Sequence, residues 1–255
     1  MTTADAGEQV FALIAGGGTG GHVYPALALA QALVARGHAR GSIRFVGAAR
    51  GIEGTEVPRA GFEIDLLPGR GFQRRVTRET FAAGWEAARA LAAARMLVRR
   101  HRPRVVVGVG GYASVPGTVA ARLAGVPVVV HEQNAAPGLA NRLAVRLGAT
   151  AAVSLPATAL AGAVYTGNPV RAAIVEAGRQ RVERAPSPGP PTVLIFGGSL
   201  GARAINRVAI ELYDRWRGRA DVRIHHVCGR RDESWCSAAI GEARRSDDLL
   251  GYELV

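Results

Sequence analysis

His22 is the side chain of this sequence best placed to move a proton. It closes the run Gly16-Gly17-Gly18-Thr19-Gly20-Gly21, and imidazole is the side chain whose ordinary pKa lies nearest neutrality. Glycines lacking a Cβ let backbone N–H groups approach an anion closely, and a following helix start adds unpaired N–H groups at the positive end of its dipole. Two further runs, Gly110-Gly111-Tyr112-Ala113-Ser114 and Gly197-Gly198-Ser199-Leu200-Gly201-Ala202, repeat the theme. His131-Glu132-Gln133-Asn134 adds four polar residues directly behind an apolar stretch, which is poor core material. Together these types suit proton transfer beside a bound phosphate or diphosphate.

Other chemistries meet obstacles. Gly16, Gly18 and Gly21 match G-x-G-x-x-G, the dinucleotide fingerprint. That fold wants an acid near the end of the second strand to hold a ribose hydroxyl, and Ser42-Ile43-Arg44-Phe45-Val46 runs into Gly47-Ala48-Ala49-Arg50 instead. A P-loop needs a lysine, and the sequence has none. Cys228 and Cys236 are too few and wrongly spaced for a metal site, which fits a reduced cytoplasmic protein with no metal and no cofactor. Asp5 and Glu8 near the N-terminus are unlike a signal peptide.

The elements that must position these residues alternate strand and helix. Val10–Ala15, Ser42–Val46, Phe62–Pro68, Val105–Val109 and Val126–Val130 read as strands, the last two being β-branched runs suited to a parallel sheet covered on both faces. Helices are expected from Pro25 to Leu33, from about Phe81 to Arg100, and behind Pro116. Arg171 to Pro191 changes composition and reads as connecting chain, linker-like over 178–191. Thr192–Phe196, a helix Arg203–Trp216, a strand Val222–Val227 and a helix near Ser234–Arg244 then begin a second α/β domain. The reading is an N-terminal domain over 1–166 and an incomplete second one over 167–255, in which two strands and two helices cannot close a doubly wound core.

All 32 basic residues are arginine, and the formal net charge is +12. Such a charge suits either an anionic partner or a compositional bias towards Ala, Arg and Gly. One stretch interleaves charge with apolar residues: Phe72, Arg74, Arg75, Val76 and Arg78 lead into Phe81 and Trp85. Phe81, Trp85, Ala88, Leu91, Ala92 and Arg95 recur at helical spacing, which describes either a core stripe or an interfacial patch on anionic lipid.

Five motifs, in order and spacing, resemble the MurG family: Gly17 to Ala26, Gly110 to Ser114, His131 to Asn134, Gly167-Asn168-Pro169-Val170-Arg171, and Gly197 to Ala202. That family consists of UDP-N-acetylglucosamine:undecaprenyl-pyrophosphoryl-muramoylpentapeptide N-acetylglucosaminyltransferases. The resemblance implies the GT-B architecture, two Rossmann-like parallel-sheet domains facing a cleft, the second incomplete here. It implies inverting transfer of N-acetylglucosamine from UDP-N-acetylglucosamine to lipid I, giving lipid II for peptidoglycan. The place implied is the cytoplasmic face of the bacterial cell membrane, held peripherally on an anionic surface, with no nucleic-acid partner. His22 is then the base that takes the acceptor's proton, with Glu132 as the second candidate. Thr19, Gly20, Gly21 and Asn134 match donor-contacting positions, Tyr112 lies where the acceptor approaches, and Arg171, Gly198 and Ser199 meet the departing diphosphate.

Family members continue for roughly another hundred residues, a size that follows from ordinary domain lengths, carrying the grip on ribose and uracil. The expectation is therefore a whole acceptor domain, an incomplete donor domain, and poor or absent transfer. Alternatives are a non-catalytic module that binds lipid I or membrane, a GT-B enzyme with another acceptor, and a dinucleotide oxidoreductase, the last disfavoured by the missing ribose acid.

Overall fold

The computed structural model describes residues 9–49, 51–68, 80–183, 188–198 and 201–255, with side chains from 84 to 181 in the third stretch. Two compact units divide the chain, Met1–Glu183 and Arg184–Val255.

The first unit carries a seven-stranded sheet, parallel at every pairing. Its strands are β1 (Ala12–Ala15), β2 (Ile43–Ala48), β3 (Glu63–Leu67), β4 (Val105–Gly108), β5 (Val128–Glu132), β6 (Thr150–Val153) and β7 (Val164–Tyr165), and the spatial order is β3-β2-β1-β4-β5-β6-β7. The order reverses between β1 and β4, and the carboxyl ends of two such strands open the crevice where α/β sheets take ligands. Every residue of β1 is buried. Period-two alternation explains this: Leu13 and Ala15 join one core while Ile14 joins another on the opposite face.

Helices α1 (Gly20–Ala35) and α2 (Glu53–Arg59) accompany β1 and β2, and α3 (Thr80–His101), α4 (Ser114–Leu123) and α5 (Leu139–Arg146) follow. From α1, Val23, Ala26, Leu27 and Ala30 cover Ile14 and Phe45. Ala94 and Val98 of α3 and Ala120 and Ala121 of α4 cover Leu13, Val106 and Val130. Small residues let α4 lie close to the sheet, since a Cβ at Gly117 would stand 2.7 Å from the Cβ of Ala15. The unit ends in α6 (Ala172–Glu183), exposed along its described side chains.

The second unit is a three-stranded parallel sheet of order β10-β9-β8. It comprises β8 (Thr192–Phe196), α7 (Arg203–Trp216), β9 (Arg223–Val227), α8 (Glu233–Ala243) and β10 (Gly251–Leu254). Tyr213, Ile224, Ile240 and Tyr252 form its core.

Several expectations shift. Helix α1 begins five residues before Pro25, because the glycine run itself turns into the helix and Pro25 gives up only the single bond its missing N–H would have made. Helices α2 and α5 and strand β10 were not read in the sequence, being only seven, eight and four residues long. Residues 172–183 are helix, and by contacts they group with the first unit, so the division falls after Glu183 where the sequence reading placed it after 166. His131 and Glu132 lie within the end of β5 and are buried. The inward stripe of α3 is Ala90, Ala94 and Val98, whereas Trp85, Ala88, Ala92 and Arg95 face outward.

Candidate functional site

Register places the two glycine runs side by side. Ala15 pairs with Gly108 across β1 and β4, so the loops that follow leave the sheet together. Gly17 donates its N–H to the Gly110 carbonyl at 3.4 Å. A Cβ on Gly111 would stand 2.1 Å from the Gly17 carbonyl oxygen, and φ at Gly111 is +81°. Glycine is required there for the approach of backbone to backbone.

His22, half-buried in the first turn of α1, lies against this seam. A Cβ on Gly110 would come within 2.9 Å of His22 Nε2, and His22 Nδ1 is 3.3 Å from the Thr19 hydroxyl. Burial lowers the pKa of His22 below its ordinary value; the Glu132 charge, a hydrogen bond to the Gly17 backbone and the Glu53 charge oppose that without restoring it. The imidazole is thus neutral at physiological pH and able to accept a proton.

The inner N–H groups of the loop are already spent: Gly16 donates to the Val46 carbonyl, Gly17 to Gly110, and Gly18 to the Glu53 carboxylate at 2.8 Å. Thr19 is the N-cap of α1 but makes no side-chain cap bond. Gly20 and Gly21, in the first turn, have no intrahelical acceptor. Both line a cavity of about 480 Å³ together with His22, Asn134, Asn168 and Arg171.

The opposite wall comes from the end of β5. Glu132, 2% exposed, accepts from the Asn134 N–H and side-chain amide, the Gly138 N–H and the Asn141 side chain, all within 3.0 Å. Burial alone would raise its pKa, but these donors outweigh burial and hold the carboxyl below its usual range. With both oxygens engaged, Glu132 organises residues 133–138 and is a poor proton acceptor; of the two base candidates, the geometry favours His22. His131 engages the Gly167 carbonyl at 3.1 Å, and Ser154 donates to Asn168 at 3.2 Å. These bonds bring the 167–171 segment over the cavity, where the Arg171 guanidinium lies 4.3 Å from the Tyr24 ring centre.

Tyr112 stands apart from that cavity, against an apolar groove of about 220 Å³ with Leu91, Val115 and Val119. Burial, then the Glu86 charge, raises its phenol pKa. Thr19, Gly20, Gly21, His22, Asn134 and Arg171 are thus brought together, with Glu132 supporting them from beneath and Tyr112 lining a separate groove.

In the second unit Gly198 is exposed in the loop before α7. Ser199 lies outside the described residues, as do Phe72, Arg74, Arg75, Val76, Arg78 and the side chain of Phe81. Trp85 is 69% exposed, so this member of the aromatic stripe is not core. No group of three or more metal-ligating side chains occurs among the described residues.

Glu53 went unnoticed in the sequence. It follows β2 closely, near where a ribose-binding acid would be sought, yet it turns under the glycine loop and is 1% exposed. Its presence five residues beyond Ala48, beside Gly47 and Gly51, was the available signal.

The glycosyltransferase family 28 N-terminal domain matches residues 12–153, and the family's C-terminal domain matches residues 192–242. A curated UDP-N-acetylglucosamine--N-acetylmuramyl-(pentapeptide) pyrophosphoryl-undecaprenol N-acetylglucosamine transferase of Desulforudis audaxviator is 41% identical over 224 residues, covering 85% of this chain and 60% of the relative. The chain belongs to glycosyltransferase family 28 and, within it, to the MurG family. A second MurG-family relative, the transferase of the same description from Halorhodospira halophila, is 44% identical over 196 residues, covering 76% of this chain and 53% of the relative. The crystal structure of Acinetobacter baumannii MurG aligns with a TM-score of 0.69 at 27% identity, over 96% of this chain and 65% of that one. The chain thus spans little more than half to about two thirds of the length of the family members it matches.

Proposed function

We propose that this chain takes part in transferring N-acetylglucosamine from UDP-N-acetylglucosamine to a lipid I acceptor, with the cavity at the β1–β4 crevice holding the reacting hydroxyl. The observation that carries the reading is a neutral, half-buried histidine at an uncapped helix start, facing a 480 Å³ cavity that Arg171 also lines. In the reaction the acceptor hydroxyl oxygen attacks the anomeric carbon from the face opposite the diphosphate. The bond from that carbon to the diphosphate oxygen breaks, its electron pair leaves with UDP, and the hydroxyl proton passes to His22. Negative charge accumulating on the diphosphate calls for fixed donors. The Gly20 and Gly21 N–H groups and the Arg171 fork are suited to it in the first unit. The printed names of the curated relatives supply the donor and acceptor.

Peripheral attachment to the cytoplasmic face of the membrane belongs to the same reading. The exposed indole of Trp85 and the basic run around Arg74, Arg75 and Arg78 suit an anionic lipid surface. No helix among the described residues is long and apolar enough to cross a membrane.

The test compares wild type with His22→Ala, using radiolabelled UDP-N-acetylglucosamine and a lipid I analogue. The expected result is a loss of transfer of about 10²- to 10⁴-fold with acceptor affinity retained. Wild-type protein that binds the acceptor without transferring sugar would favour a binding module.

A further inference from the structure

The reaction just proposed has no use for Glu53, yet the chain goes to some length to bury it. From the first turn of α2 its Oε2 accepts the Gly18 N–H and its Oε1 the Ala48 N–H, each at 2.8 Å. Glycines make the space: a Cβ on Gly17 would stand 2.1 Å, and one on Gly51 1.8 Å, from a carboxylate oxygen, and one on Gly47 2.5 Å from Glu53 Cγ. A buried carboxylate is costly unless donors surround it. In dinucleotide-binding folds the donors of such a loop take a ligand's phosphate. Here they are taken by a carboxylate of the chain itself.

We propose that Glu53 is a positioning residue that fills the anion seat of the Gly16–Gly21 loop, holds the arch on which His22 stands, and excludes a ligand phosphate from the loop interior. A diphosphate approaching the cavity then meets the first turn of α1 and not the glycine arch. The link to His22 is short. Gly17 contributes the backbone hydrogen bond to the imidazole, and Gly18 precedes Thr19, whose hydroxyl faces Nδ1. Glutamine at position 53 could satisfy only one of the two donors, because its amide NH₂ would confront the other. The positioning role rests on reading His22 as the base; the filled anion seat does not.

The experiment is NMR on the isotopically labelled full chain, supported by kinetics. In wild type, scalar couplings across the two hydrogen bonds should link the Gly18 and Ala48 amide nitrogens to the Glu53 carboxyl carbon. In Glu53→Gln one of the two amide protons, Gly18 or Ala48, should shift upfield and the His22 midpoint should fall, since one of its two neighbouring negative charges is gone and Glu132 remains. Glu53→Asp should recover part of the His22 midpoint. Where transfer is measured, Glu53→Gln should lower kcat about ten- to a hundredfold with little change in KM for the donor. Absence of both couplings would overturn the proposal even if the glutamine variant fails to fold, and so would a glutamine variant with Gly18, Ala48 and His22 all unchanged. A wild-type chain without transfer would sink the sugar-transfer reading while leaving the amide couplings to decide the anion seat.

Discussion

His22 at a helix start and Glu132 at a strand end show how two titratable groups acquire different work. Burial keeps the imidazole neutral, while four donors keep the carboxylate charged. A base whose pKa lies below the usual 6.5 remains competent on the acid side of that value. The acid limb of the kcat/KM profile for sugar transfer is therefore expected below pH 6.5, and a limb above it would count against His22. Removing the Glu132 carboxylate leaves the Gly138 and Asn134 N–H groups and the Asn134 side-chain amide without their acceptor. Glu132→Ala is expected to cost about 3 kcal/mol by urea denaturation, whereas a merely catalytic carboxylate would leave the midpoint in place.

At the scale of elements, α3 carries the separable prediction. Its inward stripe of Ala90, Ala94 and Val98 packs on the sheet core, and Trp85 contributes nothing to that packing. Trp85→Ser should consequently leave thermal stability within about 0.5 kcal/mol, as for surface substitutions generally, while weakening sedimentation with vesicles containing anionic phospholipid. Equal sedimentation of the two proteins would remove Trp85 from any membrane contact. The neighbouring glycine loops were legible as anion-binding turns from their composition. That Gly17 and Gly111 serve each other's backbone was not, because the reason lies in a register between strands far apart in sequence.

For the molecule as a whole the ionisable groups pull stability in one direction with pH. Burial lowers the pKa of His22, His131 and His226 in the fold, so the unfolded chain takes up protons first as pH drops through about 6.5. His101 behaves alike, through burial and then the Arg44 charge. Asp232, held low first by Arg203, and Glu132 add stability above the unfolded carboxyl range that is lost on further acidification. The urea midpoint is therefore expected to fall between pH 7 and pH 5 and again below pH 4. A midpoint rising over the first interval would contradict the buried neutral histidines.

From the sequence alone came the alternation of strand and helix, the helix Arg203–Trp216 to the residue, the base candidate His22 and the family resemblance. These are local properties, carried by apolar periodicity, glycine runs and motif spacing. Tertiary structure decided the rest. It turned Glu132 from a candidate base into a buried scaffold, decided for Trp85 between core and surface in favour of the surface, and set Glu53 beneath the glycine loop. The physical reason is common to all three. Whether a carboxylate is free or engaged, and whether an indole is covered, depends on which chain segments the sheet order brings beside it, and that order is a long-range property no local pattern encodes.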